Sequence, residues 1–174
     1  MLEYPDPAFG RWAWFVPVEF GLLGVAVGLL CPALERLFAG GAALRPGLAT
    51  RAFELSLFAF LYFLTTLPGD GLGSAVLGVA LLALAAARLL FDGARGDWAY
   101  VVAAAVLGPG TEAALSALSA FDYLAPDFAG ITYWLPGLWA NGGFMIRRLI
   151  IPIAVPGRTA TDSPLPLRTA WDRS

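Results

Sequence analysis

The chain has 174 residues, of which 59% are hydrophobic and only 14% are charged, and its mean hydropathy is +0.72. A soluble domain carries about 25% charged residues, so this composition excludes an ordinary water-soluble fold and predicts an integral membrane protein. The absence of His excludes His-based acid–base and metal chemistry, and a net charge of −2 without basic runs argues against a nucleic-acid partner.

Five apolar segments follow one another along the chain, each near the ~20 residues that cross a bilayer. They cover about residues 12–37, 52–67, 72–90, 98–121 and 128–151. Hydrocarbon satisfies no backbone hydrogen bonds, and the segments lack the alternation of barrel strands, so they are predicted to be helices. The sequence therefore predicts an all-α polytopic transmembrane bundle over residues 1–151, followed by a polar tail over residues 152–174.

The arginines orient this bundle. With five spans, all of the 11 basic residues fall on one side except Arg11. The positive-inside rule then places the N-terminus outside and the C-terminal tail in the cytoplasm. The chain has no Lys but is rich in Ala, Gly, Arg and Pro, which is typical of GC-rich bacterial coding. The expected location is therefore the bacterial inner (plasma) membrane.

Three glutamates lie within or near the spans, where an ionisable group is expensive and often functional. Glu54 follows Arg51 by three residues, and this spacing favours an ion pair at the membrane interface. Glu19 and Glu112 lie deeper. Each of these two could serve a proton or cation pathway, contact a lipid headgroup, or reach water or a buried donor near its helix end.

Glycines and one proline mark the expected contacts between helices. The triplet 108–110, Gly-Pro-Gly, predicts a kinked or unwound fourth span, which would either open a cavity or only fit the helix around its neighbours. The first span has small residues on one face at Gly21, Gly24 and Gly28, and the third has Ser74 and Gly78. Such faces favour close packing within the monomer, and they leave a homo-oligomer open.

Short polar residues mark the helix ends. Asp97 and Asp127 are predicted as N-caps of the fourth and fifth spans. The turn between the third and fourth spans holds Asp92 and Arg95, which could cap neighbouring helices or dock a partner.

Several motifs together resemble the Insig (insulin-induced gene) family. In the first span, residues 14–17 (Trp-Phe-Val-Pro), Gly21 and residues 28–32 (Gly-Leu-Leu-Cys-Pro) are similar to the family's W-W-V-P-P, G and G-L-L-Y-P. Phe91-Asp92 with Arg95 resembles the F-D-R-S-R loop. Three further matches are Pro126-Asp127-Phe128 with S-P-D-F, Trp134-Leu135-Pro136 with W-L-P, and Gly142-Gly143 with a glycine pair. The motifs keep the family's order from about residue 14 to residue 143.

The resemblance implies a six-span bundle that binds sterols, in which this chain begins at the family's second span. Eukaryotic Insig proteins act in cholesterol homeostasis: they hold the sterol-sensing protein Scap in the endoplasmic reticulum and direct degradation of HMG-CoA reductase. By this resemblance Asp92 corresponds to an aspartate important for partner contacts. Phe58 corresponds to a phenylalanine of the sterol region, and Ala75 replaces a polar residue on the next helix. Gly93-Ala94 replace Arg-Ser and weaken the basic loop.

The sequence therefore predicts a sensor or regulatory protein, not an enzyme, with a central lipid pocket open to the bilayer. Neither a nucleophile–base pair nor a phosphate loop nor metal spacing is visible, and no cofactor is expected besides a bound lipid, either a sterol or a diacylglycerol-type lipid. The predicted lipid-binding residues are Phe58, Tyr62, Phe63, Ala75, Trp134 and Trp139, with Glu19 or Glu112 contacting a lipid hydroxyl. Asp92 and Arg95 are predicted to bind a membrane-protein partner.

Three alternatives remain open at this point. A small transporter or channel subunit would use Glu19 and Glu112 as its pathway. An intramembrane enzyme acting on lipids would need a nucleophile that the sequence does not display. A purely structural assembly protein would have no pocket.

Overall fold

The computed structural model describes residues 2–3, 7–9, 12–13, 25, 29–38, 46–67, 71–94 and 96–150, and over these residues the chain is mostly helical. The predominantly helical structure predicted from the sequence is therefore confirmed for this part of the chain, which also contains short strands. The predicted tail, together with Glu19, Arg95 and the glycines of the first span, lies outside the described residues.

Five α-helices form the described part of the bundle. They are α1 (residues 29–38), α2 (Leu48–Leu64), α3 (Gly71–Phe91), α4 (Asp97–Ala117) and α5 (Leu135–Met145), which continues into a π-helical turn at Ile146–Ile150. Four short strands accompany them: β1 (Leu2–Glu3), β2 (Pro7–Phe9), β3 (Trp12–Ala13) and β4 (Asp122–Tyr123). β1 pairs antiparallel with β4, and β2 pairs antiparallel with β3.

Two of these helices, α3 and α4, are long and apolar enough to cross a membrane. Each has 21 residues, which corresponds to ~31 Å of helix, about the thickness of the hydrocarbon core. Only 28% of the most apolar stretch of α3 and 33% of that of α4 is buried inside the bundle. A core helix of a soluble protein would be mostly buried, so the exposed apolar faces favour a lipid environment.

The helix bounds follow the apolar segments closely in the middle of the chain. α3 and α4 begin within one residue of the predicted starts at 72 and 98. α2 begins four residues before the predicted 52 and ends before 67, because Thr65 and Thr66 close its last turn with hydroxyl bonds to backbone carbonyls. α4 ends at Ala117, before the predicted 121, and stays helical through Pro109, so of the two predicted outcomes, a kinked or an unwound span, the unwinding does not occur.

The fifth segment departs most from the sequence prediction. Helix α5 begins at Leu135, whereas the apolar run predicted a helix from residue 128. The preceding residues form a turn in which the Ile131 carbonyl accepts hydrogen bonds from the Asp127 and Phe128 amides. Ala129 and Gly130 both have positive φ, a conformation that interrupts a right-handed helix, and a proline follows in the first turn of α5.

Helix α5 is the central element and packs against α2, α3 and α4. Glycines allow this close approach, because a Cβ added at Gly78 would lie 2.6 Å from the Tyr133 carbonyl oxygen. A Cβ at Gly143 would likewise lie 2.6 Å from the Tyr100 carbonyl oxygen of α4. Small residues at such crossings bring helix backbones together where apolar bulk gives little association energy. The Ser74/Gly78 face therefore packs within the monomer, as the sequence favours.

Two apolar clusters fill the space around α5. One contains Leu61, Leu81, Phe121, Tyr123, Trp134, Leu135 and Leu138. The other lies nearer the C-terminal end of α5 and contains Ala85, Val101, Ala140 and Phe144. The first cluster includes residues from the 118–134 segment, so this segment is packed onto the bundle.

Candidate functional site

An open groove lies between the C-terminal end of α2 and the N-terminal half of α3. Its volume is about 570 Å³, and its lining is entirely apolar or glycine: Leu64, Leu67, Leu72, Gly73, Val76, Leu77 and Ala80. The groove is shallow and open along its length, so a ligand lying in it would also contact the surroundings of the bundle. The groove is open at the outside of the bundle, where Leu67, Leu72 and Val76 are largely exposed.

The predicted lipid-binding residues of α2 and α3 lie around this groove but do not line it. Phe58 is half-buried, packs against the Leu61 cluster and approaches Gly142 of α5. Tyr62 and Phe63 are exposed on the outer surface of α2, and Ala75 is half-buried on α3. Phe58 therefore contacts the interior of the bundle, whereas Tyr62 and Phe63 face its outside.

Trp139 and Glu112 are brought together at the same end of the bundle as the groove, but in a different cluster. The Trp139 Nε1–H donates to Glu112 Oε1 at 2.8 Å, and the Tyr123 hydroxyl donates to Glu112 Oε2. Trp134 is buried and stacks edge-on against Tyr123 at 6.1 Å between ring centroids. Glu112 of α4 is therefore bound through one oxygen to the 118–134 segment and through the other to α5.

A second carboxylate fixes the same segment to α3. Asp127 Oδ2 accepts the Ser74 hydroxyl and, at 2.8 Å, the backbone amide of Tyr133. The prediction that Asp127 caps the fifth helix is wrong, because that helix begins only at Leu135. We call this part of the molecule the loop end. It comprises the groove, residues 118–134, and Glu112 with its partners Tyr123 and Trp139.

The opposite end contains a buried ionic cluster, which we call the ionic end. Its members come from all five helical regions and are Glu35, Glu54, Arg88, Asp92, Asp97, Arg147 and Arg148. All of them except Asp92 are buried. The cluster ties the last helical turn of the described chain to every other helix.

The buried part of this cluster is balanced in charge. Three carboxylates, Glu35, Glu54 and Asp97, face three guanidinium groups. Each ion pair that they form has a nitrogen–oxygen distance of 3.0 Å or less. Arg147 bridges α1 and α4, with 2.7 Å to Glu35 and 2.6 Å to Asp97. A buried charge is tolerated only when paired and hydrogen-bonded, so the equality of the two sets is what permits burial.

Arg148 is the most connected member. Its Nη1 donates to Glu54 Oε1 and to Asp92 Oδ2, both at 2.8 Å, and its Nη2 donates to Asp97 Oδ2 at 3.0 Å and to the Asp92 carbonyl at 2.9 Å. Its Nε is buried without a hydrogen-bond partner among the described residues. The Asp92 side chain is 67% exposed, so Arg148 connects the buried charges to the surface.

The π-helical turn explains how two successive arginines can both face inward. Side chains at neighbouring positions of an α-helix diverge by ~100°, and the wider i→i+5 turn brings them closer in direction. Arg147 and Arg148 both lie in this turn, at Ile146–Ile150. The Phe144 ring one turn earlier lies under two guanidinium groups, 4.0 Å from Arg88 and 5.2 Å from Arg148.

Several polar residues have other partners than the sequence predicts. Glu54 pairs with Arg88 and Arg148, so the expected pair with Arg51 is wrong; the Arg51 Nε instead donates to the Pro46 carbonyl. Asp97 is the first residue of α4, after Gly96 at the N-cap position. The prediction that Asp97 is the N-cap of this helix is therefore wrong: its carboxylate accepts the Ala94 amide and two guanidinium groups instead.

Sequence reasoning missed the ionic end because it used the arginines only to orient the bundle. A signal was nevertheless present: Glu35, Glu54 and Asp97 all lie near the arginine-rich ends of their segments. Acidic residues at that face, opposite an adjacent Arg-Arg pair, could have indicated pairing across the bundle. Among the described residues, no group of potential ligands is placed to hold a metal ion.

The fold and these two ends define a class: a helical bundle with two helices able to cross a membrane, closed at one end by buried ion pairs. Comparison of the chain with protein-family models, with curated proteins and with solved structures finds no match in any of the three. The resemblance to Insig proteins therefore stands on the motifs in the sequence alone.

Proposed function

We propose that the chain is an integral membrane protein of five spans that binds a lipid, acts as a sensor or regulator without catalysis, and is related to Insig proteins. Its location would be a bacterial inner membrane, with the tail in the cytoplasm. The exposed apolar faces of α3 and α4 support the membrane location. The ionic end lies on the side where the arginines of the sequence concentrate, which is consistent with a cytoplasmic position.

The observation that carries the lipid proposal is the apolar groove between α2 and α3. Lipid-binding sites are mostly apolar, and a few polar groups orient the ligand. Thr65 and Thr66 lie between the lining residues Leu64 and Leu67, and each uses its hydroxyl hydrogen on a backbone carbonyl. Neither threonine lines the groove, so the polar end of a ligand would lie beyond the apolar lining.

The apolar lining suits a ligand with a mainly apolar body, and the resemblance to Insig proteins leads us to propose a diacylglycerol-type lipid or a sterol. The apolar body would lie along α3 from Leu72 to Ala80, a length of ~12 Å. The proposed site is thus lateral, at the lipid-facing side of the bundle. It differs in position from the central aromatic pocket predicted from the sequence.

The alternative of a transporter or channel subunit depends on Glu112, since Glu19 lies outside the described residues. Both Glu112 oxygens accept hydrogen bonds from aromatic side chains, one from Tyr123 of the 118–134 segment and one from Trp139 of α5. A carboxylate whose two oxygens are both occupied by protein donors is less available to bind a passing ion. The contacts of Glu112 therefore favour a structural role for it, and the lipid proposal over the transporter alternative. The exposed Asp92 side chain is consistent with a further role in docking a membrane-protein partner.

A matched pair of substitutions on α3 tests the groove. Val76 and Val79 are 63% and 69% exposed, but only Val76 lines the groove. Val76→Phe should fill part of the groove without disturbing the core, and Val79→Phe should leave the groove unchanged. Mass spectrometry of lipids extracted from purified wild-type protein should show diacylglycerol or sterol enriched over the bulk membrane, and should show this enrichment lost in Val76→Phe only.

The same measurement can refute the proposal. Recovery of bulk phospholipid in bulk proportions from the wild-type protein would exclude a selective groove. Equal enrichment in Val76→Phe and Val79→Phe would place the lipid elsewhere on the bundle.

A further inference from the structure

Arg148 joins the exposed Asp92 to both helices that form the groove. Its Nη1 is shared between Asp92 and Glu54 of α2, at 2.8 Å to each. Glu54 in turn holds Arg88 of α3 at 2.6 Å. The chain of contacts therefore runs from the surface through Arg148 to α2 and then to α3.

We propose that this chain of contacts couples the state of the Asp92 carboxylate to the separation of α2 and α3, and so regulates the groove. The regulatory part of this inference rests on the proposed function, because it presupposes that the groove binds a lipid. Its structural part, the coupling between Asp92 and helix separation, can be tested without a lipid.

The direction of the coupling follows from competition for Arg148 and Glu54. Glu54 Oε1 accepts from both Arg88 and Arg148, at 2.6 and 2.8 Å, while Glu54 Oε2 accepts from Arg88 alone, at 2.6 Å. When Asp92 is neutralised or drawn away, the Arg148 guanidinium retains Glu54 and Asp97 as its partners and attracts them more strongly. Glu54 then shifts toward Arg148, its bond to Arg88 weakens, and α2 separates from α3.

Such coupling is reciprocal as a matter of thermodynamics. A ligand that holds α2 and α3 at the described separation favours the Glu54–Arg88 contact, and thereby the hold of Arg148 on Asp92. Occupancy of the groove would thus be reported at the exposed end of the bundle, on the residue that is accessible there.

The test measures release of a diacylglycerol with a fluorescent acyl chain from the full chain in lipid nanodiscs. Asp92→Asn should raise the rate of release about fivefold, the size of a modest coupling between sites. Asp92→Glu retains the charge and should behave as wild type. Asp122→Asn makes the same change at an exposed aspartate of the loop end and should also leave the rate unchanged.

A distance measurement between α2 and α3 tests the structural part. Spin labels at Phe63→Cys and Val79→Cys occupy exposed positions outside the groove lining, with Cys31→Ala removing the native thiol. Asp92→Asn should lengthen the label-to-label distance by ~1–2 Å, the scale of helix shifts in coupled proteins.

The outcomes separate the two proposals. If the lipid probe binds but neither the release rate nor the label distance responds to Asp92→Asn, the coupling is refuted and the lipid site stands. If the probe does not bind the wild-type protein, the lipid proposal fails, and the label distance alone decides whether Asp92 controls the separation of the helices.

Discussion

The two ends of the bundle are held together by different forces. At the ionic end, three buried carboxylates meet three guanidinium groups, and the helices cannot move apart without separating charges. At the loop end, hydrogen bonds and aromatic contacts fasten the 118–134 segment, and α2 and α3 leave a groove. The ionic end therefore fixes the arrangement of the helices, whereas the loop end leaves room for a ligand.

The largest expected effect comes from removing Arg147. Arg147→Met leaves Glu35 and Asp97 buried with fewer partners, and breaking a buried pair from one side costs about 3–5 kcal/mol. Thermal unfolding in detergent should show a large loss of stability. Arg36→Met makes the same change at an exposed position of α1 and should have little effect. Equal stability of the two variants would mean that the ionic end does not hold the bundle together.

A smaller loss of stability is expected when the same substitution, Glu to Gln, is made at each of the two ends. Glu54→Gln removes a charge facing two guanidinium groups and should cost about 2–3 kcal/mol, because hydrogen bonds to charged groups are the stronger ones. Glu112→Gln keeps an oxygen for the Trp139 donor and should cost about 1 kcal/mol. Unfolding of both variants under one condition measures the difference, and a reversed order would contradict the contrast between the ends.

The smallest expected effect concerns packing at the loop end. A Cβ at Gly108 would lie 2.2 Å from the Trp139 ring, whereas a Cβ at Gly110 would have no neighbour within 4 Å among the described residues. Gly108→Ala should therefore destabilise by about 1–2 kcal/mol through overpacking. Gly110→Ala should be neutral, or stabilising by up to ~1 kcal/mol through helix propensity. The unfolding midpoints of the pair check this, and a loss of stability in Gly110→Ala alone would show that α4 is packed differently.

The sequence predicted the helices of the middle of the chain well. Long apolar runs bounded by Gly, Pro and charged residues placed α3 and α4 within one residue at their starts, because hydrophobic length and breakers act locally. The turn before α5 was not predicted, because its residues are as apolar as those of a helix. Positive φ at Ala129 and the hydrogen bonds of Asp127 only become apparent with the fold.

The partners of the charged residues could be predicted only in part. The sequence drew attention to Glu54, Glu112 and Asp92 as charged residues in or beside the spans, and in the structure each of them has a hydrogen-bonded partner. Their partners depend on which helices are neighbours and how each is rotated, which no local pattern contains. The Arg51–Glu54 spacing suggested a local pair, but Arg88 and Arg148 from distant segments replaced it.

The position of Arg147 and Arg148 near the end of the described chain has a consequence for biosynthesis. Glu35 and Asp97 precede Arg147, the arginine that pairs with both of them, by 112 and 50 residues in the chain, so they leave the ribosome earlier. Until that arginine is translated, the earlier helices carry acidic groups without their final counterions and cannot settle into the arrangement described. Maturation of the ionic end is therefore a late event, completed only after the turn that contains Arg147 and Arg148 has been made.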